Sequence, residues 1–156
     1  MIIRVLAVGQ KMPSWVQEGV QTYTQRMPRE CRVEWVELAP AKRTKNGQAS
    51  AYKQDEAKRI LNALPKGSIC VVLDERGQSW TTAKLADHLE QWMGSGQDVA
   101  IVIGGPDGLD ESVKQKADRL LSLSALTMPH PMVRILLSEQ LYRAWSVTQN
   151  HPYHRE

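Results

Sequence analysis

Short apolar runs alternate with longer amphipathic segments along the chain, and this alternation predicts its secondary structure. Four runs have the composition of buried or half-buried strands, at residues 2–8, 33–38, 68–74 and 99–103. Five segments carry apolar residues at helical spacing, at residues 13–27, 51–64, 81–93, 110–120 and 132–149. Strands and helices that alternate in this way are typical of an α/β fold, with a mostly parallel sheet and helices on both faces.

Two of these strands differ in their surroundings. The run VAIVI at residues 99–103 has no polar member, which is typical of a strand buried on both faces of a sheet. Residues 33–38 instead alternate apolar side chains with Glu34 and Glu37. One face of this second strand is therefore polar, and we expect it at an edge of the sheet.

The segment LSLSALTMPHP at residues 121–131 carries mixed signals. Leu121, Leu123 and Leu126 favour burial, whereas the serines between them argue against a simple core strand. Pro129 and Pro131 restrict the backbone, so we expect an irregular loop before the last, amphipathic helix.

A glycine-rich loop directly follows the buried strand at residues 99–103. It begins with Gly104 and Gly105 and continues through Pro106 to Gly108. Glycine has no Cβ and tolerates positive φ, so this backbone can approach a ligand closely, or it can form an ordinary tight turn. In open α/β sheets, ligands bind at the carboxyl ends of the strands, where this loop lies.

The glycine loop and the loop at residues 123–129 together suggest two walls of one pocket. Both are rich in backbone N–H and C=O groups, and the second adds leucines. Such walls suit an adenosine-like ligand, because backbone groups can read the edge of the base while leucines cover its face. Neither loop supplies a strong cation for a triphosphate.

Length and composition predict a single domain over residues 1–156, long enough to bury a core without disulfides or metal. Cys70 lies inside an apolar run, so we expect a buried, reduced thiol. The N-terminal apolar run is too short for a signal sequence, and no run approaches a membrane span. We therefore expect a cytoplasmic protein with no membrane partner.

The net charge of +3 permits a polyanionic partner without requiring one. The cations are unevenly distributed: residues 41–53 contain Lys42, Arg43, Lys45 and Lys53, and no acidic residue. A segment of this kind is either a solvated loop or a contact for phosphates of a nucleic acid.

Several common signatures are missing from the sequence. GGPDG is not the GxGxxG of dinucleotide-binding folds, and neither a phosphate-binding GxxxxGK[ST] nor a GxSxG nucleophile motif occurs. The four histidines lack metal-ligand spacing with cysteines or acids, so we expect no metal.

Three segments closely resemble the RlmH family of SPOUT-class methyltransferases, which modify N3 of a pseudouridine in large-subunit ribosomal RNA. They are IGGPDG at residues 103–108, SLSALTMPHPMVRILLSEQLYRAWS at 122–146 and NHPYHRE at 150–156. AVGQKMPSWVQEGVQTYTQRMP near the N-terminus and AKRTKN in the basic segment are also similar to that family. The resemblance therefore covers essentially the whole chain.

This resemblance implies a homodimer whose C-terminal part forms a trefoil knot, with S-adenosyl-L-methionine as cofactor and ribosomal RNA as substrate. The expected cofactor contacts are Leu73, Gly104, Gly105, Leu123, Ser124, Ala125, Leu126, Thr127, Met128 and Pro129. Lys42, Arg43 and Lys45 become candidates for contact with the RNA backbone. The alternatives are a non-catalytic ribosome-binding or assembly factor and a SPOUT methyltransferase that acts on transfer RNA.

The candidate catalytic residues lie late in the chain. Methyl transfer to N3 requires alignment of the base and removal or sharing of the N3 proton, for which a nearby cation or a positioned base suffices. We expect Arg143 and Arg155 to hold RNA phosphates, Tyr153 to stack on or bond to the base, and His154 to orient or deprotonate it. The alternative for the tail is plain disorder, and one subunit's tail is expected to complete the other's pocket.

Overall fold

The computed structural model describes residues 1–155. In that range five strands, β1 to β5, occupy Ile2–Val8, Arg32–Leu38, Ile69–Ser79, Val99–Ile103 and Arg119–Ser122. Five α-helices, α1 to α5, occupy Ser14–Thr24, Ala49–Ala63, Thr82–Ser95, Glu111–Lys114 and His130–Thr148. Short 3-10 turns are found at Arg29–Cys31 and Pro152–Arg155. The predicted alternation of strands and helices is confirmed.

All neighbouring strands run parallel, in the order β2-β1-β4-β3-β5. The central strand is β4, and all of its residues are buried, as its uniformly apolar sequence predicts. β2 lies at an edge, and Glu34 and Glu37 are exposed there, as predicted. Because the strands are parallel, the carboxyl ends of β1, β4 and β3 lie at the same edge of the sheet.

Helices cover both faces of this sheet and form two cores. On one face, Ile3 packs with Leu89 of α3 and Leu137 of α5. On the other face, Leu6 packs with Ile60 of α2. Successive strand residues point to opposite faces, which is why β1 contributes to both cores.

The sequence predicts a helix at residues 110–120, and this prediction is wrong beyond Lys114. α4 ends at Lys114, and the chain then forms β5, an additional strand. Asp118 fixes this strand to β3: its backbone N–H donates to the Cys70 carbonyl at 2.7 Å, and its carboxylate accepts from the Cys70 N–H at 2.8 Å. Pairing with the open edge of β3 therefore overrides the local helical spacing.

α5 is also less simply amphipathic than expected. Its buried residues lie on several sides of the helix and include Arg134, Ser138 and Ser146, because α5 packs against both α1 and α3. The two serines donate to backbone carbonyls three or four residues earlier, which satisfies their hydroxyls. Within residues 1–155, no helix has the length and apolar character needed to cross a membrane.

Candidate active site

A pocket of about 1000 Å³ opens at the carboxyl ends of β3, β4 and β5. The glycine loop after β4 forms one wall, and the loop after β5 forms the other. Leu73 to Arg76, in the outer half of β3, complete the lining. The two loops predicted from the sequence to share a pocket therefore do so.

All ten residues proposed for cofactor binding line this pocket. They are Leu73, Gly104, Gly105, Leu123, Ser124, Ala125, Leu126, Thr127, Met128 and Pro129. They come from three separate parts of the chain, and the parallel sheet brings them together because it aligns the strand ends that carry them.

The glycines of the first loop are required mainly by the packing of the loop itself. A Cβ on Gly104 would lie 2.7 Å from Cγ of Leu109, and a Cβ on Gly105 would lie 3.1 Å from a carboxylate oxygen of Glu56. Gly108 has a positive φ of 84°, which L-residues rarely adopt. The sequence suggests close approach to a ligand as the reason for these glycines, whereas the structure shows a steric reason in the packing of the loop.

The second wall is ordered by its serines. The Ser122 hydroxyl donates to the carbonyl of Ser124 at 3.1 Å, and the Ser124 hydroxyl accepts from the N–H of Leu126 at 2.9 Å. The side chain of Leu126 is exposed, with 78% of its surface accessible, so the burial expected for it is wrong. The local hydrogen bonds turn this leucine outward at the pocket, while Leu121 is buried in β5 as expected.

Positive and negative side chains are balanced around the pocket. The cations in its lining are Lys53, Arg76 and Lys114, and the acids are Asp74, Glu75 and Asp107. Lys114 forms an ion pair with Asp74 at 3.3 Å, and Arg43 forms one with Asp107. This balance suits a zwitterionic or weakly charged ligand better than a triphosphate. No group of three metal-ligating side chains occurs in the described part of the chain.

A partly buried hydrogen-bond network begins at His130 in the pocket lining, and sequence reasoning missed it. His130 Nδ1 lies 3.2 Å from the Gly104 carbonyl oxygen, and His130 Nε2 lies 2.8 Å from Nε of Arg134. The guanidinium of Arg134 also bonds to Glu37 at 2.6 Å and to the Gly9 carbonyl at 2.9 Å. The only available signal was the i, i+4 spacing of His130 and Arg134, and it was obscured because His130 lies before the helix predicted at residues 132–149.

The tail folds onto the C-terminal half of α5. The phenol of Tyr153 donates to Glu139 at 3.1 Å, and Nε of Arg143 donates to the same carboxylate oxygen at 2.7 Å. The guanidinium of Arg143 lies 5.1 Å from the centre of the Tyr153 ring, and that of Arg26 lies 5.9 Å from it. Burial, with Glu139 adding to it, raises the pKa of Tyr153 to about 12. Tyr153 is therefore a hydrogen-bond donor at neutral pH.

The other two candidate tail residues have fewer contacts. His154 is partly buried, and its Nδ1 has no hydrogen-bond partner within residues 1–155. Arg155 is exposed at the end of the 3-10 turn. The structure thus places Arg143, Tyr153, His154 and Arg155 at one end of α5.

This tail cluster lies farther along α5 than the pocket of the same chain. Among the described residues, Val133 is the last member of α5 that lines the pocket, whereas Glu139, which bonds to Tyr153, lies six residues later. At ~1.5 Å of rise per residue, these two positions are about 9 Å apart along the helix axis. None of the four tail candidates lines the pocket among the described residues.

The basic segment contacts the glycine loop. Arg43 pairs with Asp107 of that loop, and its guanidinium lies 4.7 Å from the centre of the Tyr52 ring. The buried carboxylate of Glu56 accepts from the Ala41 N–H at 2.9 Å, which holds the beginning of the segment. Arg43 therefore lies near the pocket mouth, and Lys42 and Lys45 are its exposed neighbours in the chain.

A family model described as "Predicted SPOUT methyltransferase" matches residues 1–154, almost the whole chain. The chain belongs to the SPOUT methyltransferase family. The resemblance found in its sequence motifs is thereby confirmed.

Relatives align with this SPOUT chain from end to end. A protein of Methylobacillus flagellatus named "Ribosomal RNA large subunit methyltransferase H" is 58% identical over 156 residues, 100% of both chains. A protein of the same name from Hydrogenovibrio crunogenus is 56% identical, also over 156 residues and 100% of both chains.

Solved structures share the fold of this chain. A probable methylase family protein from Haemophilus influenzae Rd KW20 superposes with a TM-score of 0.59 at 14% identity, covering 97% of this chain and 69% of the other. At this identity the likeness shows the fold alone, and it confirms the predicted α/β class.

Proposed function

We propose that this chain transfers a methyl group from S-adenosyl-L-methionine to N3 of a pseudouridine in large-subunit ribosomal RNA. The observation that carries the proposal is the pocket between the glycine loop and the loop after β5, at the carboxyl ends of the strands. The names of the full-length relatives support large-subunit ribosomal RNA as the substrate. The base and the atom follow from the resemblance of the sequence motifs.

The lining and the charge balance of the pocket support this cofactor. Its two walls expose backbone groups and apolar side chains such as Leu73 and Leu123, which suit an adenine ring and its edge. The balanced charges of Lys114, Asp74 and Asp107 suit the amino and carboxylate groups of the methionine part. When bound, the cofactor supplies an electrophilic methyl carbon on a sulfonium, so the protein has to orient the attacking nitrogen and manage its proton.

The tail cluster supplies groups that can orient the base and manage its proton. Arg143 and Arg155 are cations that can hold RNA phosphates or stabilise negative charge on the ring oxygens of the base. Tyr153, kept protonated by its raised pKa, donates or stacks rather than accepting the N3 proton. His154 is the remaining candidate for orienting the base or taking the proton, and its Nδ1 has no partner among the described residues.

A complete site requires two copies of the chain. None of the four tail candidates lines the pocket of its own chain among the described residues, and their partner Glu139 lies about 9 Å farther along α5 than Val133 of the lining. In the proposed homodimer, the tail of each subunit completes the pocket of the other. The trefoil knot of the C-terminal part and the cytoplasmic location stay predictions.

The basic segment extends this site toward the RNA backbone. Lys42 and Lys45 are exposed, and Arg43 is anchored to Asp107 at the pocket mouth. Phosphates that meet these cations would approach the pocket from the side of the glycine loop.

The decisive experiment is mass spectrometry of ribosomal and transfer RNA from a strain that lacks this gene. Loss of one methylated pseudouridine from large-subunit ribosomal RNA, restored by the intact gene, is expected. A missing methyl group in transfer RNA instead would identify a transfer-RNA methyltransferase. Unchanged RNA, together with no heat on adding S-adenosyl-L-methionine to the purified protein, would identify a binding or assembly factor.

The role of His154 has its own test. His154→Ala is expected to lower the single-turnover methylation rate by a factor of about 100 if the ring moves the proton. The matched control is His88→Ala, because His88 stacks on Trp80 at a ring distance of 4.0 Å and does not line the pocket. An unchanged rate in His154→Ala would remove this residue from the chemistry.

A further inference from the structure

The ring of His130 has a defined protonation state. Its Nε2 faces Nε of Arg134 at 2.8 Å, and a guanidinium can only donate, so Nε2 must be the accepting nitrogen. The hydrogen is then on Nδ1, which donates to the Gly104 carbonyl at 3.2 Å. His130 is therefore neutral and in the Nδ1–H form.

Arg134 is itself fixed from two other directions. Its side chain is 4% exposed, and it bonds to the carboxylate of Glu37 and to the carbonyl of Gly9. These partners lie at the carboxyl ends of β2 and β1, whereas Gly104 follows β4. The first turn of α5 is thus tied to three adjacent strand ends, directly below the pocket.

We propose that His130 is a positioning residue that sets the orientation of the Gly104–Gly105 peptide in the wall of the cofactor pocket. This inference rests on the proposed function, because it assigns a role within the same site. The peptide group is planar, so a bond that fixes the Gly104 carbonyl also fixes the direction of the Gly105 N–H. Both glycines line the pocket, and neither has a side chain that packing could use to hold it.

The arrangement makes the pocket sensitive to acid. The charged groups that face the ring are Arg134 from α5 and Glu37 from β2, and the Gly104 carbonyl faces it from the glycine loop. Burial, followed by the positive charge of Arg134, lowers the pKa of His130 below its ordinary value of 6.5. Protonation would place a hydrogen on Nε2 against the guanidinium and break the bond to Arg134, which is therefore intact above this pKa and lost below it. Nδ1–H can still donate to Gly104, but the ring loses the anchor that holds it in place.

Glutamine provides a replacement that does not titrate. Its side-chain amide places one donor and one acceptor on a single carbon, as the N–C–N edge of the imidazole does. His130→Gln can therefore donate to Gly104 and accept from Arg134 at any pH. His130→Ala can do neither, and His88→Gln serves as the matched control outside the pocket.

The experiment is calorimetry of the full-length protein with S-adenosyl-L-methionine at pH 7.5 and at several values below 6.5. At pH 7.5 we expect His130→Ala to bind about three- to tenfold more weakly than the unmodified protein, as for loss of one hydrogen bond. We expect His130→Gln to bind within about threefold of it. Below pH 6.5, affinity should fall for the unmodified protein and for His88→Gln, and it should fall less for His130→Gln.

A long-range ¹H–¹⁵N spectrum of the unmodified protein tests the same geometry without any cofactor. It should show one histidine in the Nδ1–H form that is missing from the spectrum of His130→Gln. An Nε2–H form for His130, or a His130→Gln variant whose affinity falls with acid as steeply as that of the unmodified protein, would overturn the positioning role. No heat for the unmodified protein at pH 7.5 would instead overturn the proposed function, while the spectrum still decides the state of the ring.

Discussion

The contacts of Tyr153 with its neighbours determine whether its hydroxyl donates or accepts a proton. Its hydroxyl donates to Glu139, which also accepts from Arg143, so one carboxylate orients both candidate substrate contacts. Burial and the negative charge of Glu139 raise the pKa of the phenol to about 12. A phenolate would be repelled by that carboxylate, and Tyr153 therefore stays neutral throughout the physiological range.

Removal of the Tyr153 hydroxyl tests this role. Tyr153→Phe should lower kcat/KM for methylation about three- to tenfold, the usual effect of one lost hydrogen bond, while the shape of the pH profile between pH 6 and 9 stays the same. A rise in rate near pH 9 that disappears in Tyr153→Phe would show that the phenol is instead a base.

At the scale of elements, the glycine loop is constrained by its own packing. Gly104→Ala would place a Cβ 2.7 Å from Cγ of Leu109 and 3.2 Å from the backbone of Gly108. Because the backbone cannot yield without moving the pocket wall, we expect a loss of about 1–3 kcal/mol in the free energy of unfolding. Affinity for S-adenosyl-L-methionine should fall in parallel, as measured by denaturant unfolding and calorimetry.

Gly94→Ala provides the control for this loop variant. Gly94 lies inside α3, and a Cβ there would meet nothing within 4 Å. Alanine is the better helix former, so this variant should gain about 0.5–1 kcal/mol of stability and bind the cofactor normally. A Gly104→Ala protein as stable as Gly94→Ala would contradict the steric account of the loop.

The basic segment is the second element with a testable role. Neutralising Lys42, Arg43 and Lys45 together should weaken binding of every RNA sequence and reduce the salt dependence by about one charge per lost phosphate contact. Lys42→Ala with Lys45→Ala should account for most of the effect, because Arg43 already pairs with Asp107.

A control variant separates the loss of RNA contacts from the effect of a lower net charge. Lys58→Ala with Lys66→Ala removes two exposed cations from α2 and the turn that follows it. This control should leave the salt slope unchanged. If the slope of RNA affinity against salt is also unchanged in the Lys42 and Lys45 double variant, the basic segment is a solvated loop and not an RNA contact.

The sequence predicted those elements whose pattern is local. β4 and its glycine loop, the polar edge strand β2 and the residues around the pocket follow from apolar runs, glycine positions and motif resemblance. β5 does not, because its residues have helical spacing and become a strand only by pairing with β3, forty-eight positions away at the Asp118–Cys70 contact. The Arg134 network was missed for the same reason, since its partners Glu37 and Gly9 lie 97 and 125 residues away.

At the scale of the whole molecule, the two halves of the proposed site lie at different positions along α5. The pocket contains residues of the first turn of the helix, and the tail cluster packs against its second half, from Glu139 to Arg143. α5 is one continuous helix that packs against both α1 and α3. Its residues therefore keep their spacing along the axis unless the core is disrupted. Under the proposed function, the pocket and the tail cluster of one chain would therefore serve different sites.

Mixed dimers decide whether the site is shared. Ala125→Trp, at an exposed position in the pocket lining, should block the pocket without disturbing the core, and a chain ending at Gln149 lacks the tail.

If each pocket uses the tail of the other subunit, a dimer with one defect in each subunit keeps one intact site and about half of the methylation activity. A dimer with both defects in one subunit and none in the other should then be inactive, because each remaining pocket or tail faces a defective partner. The reverse pattern, with activity only when both defects share a subunit, would mean that each chain completes its own site and that the distance along α5 is bridged within one molecule.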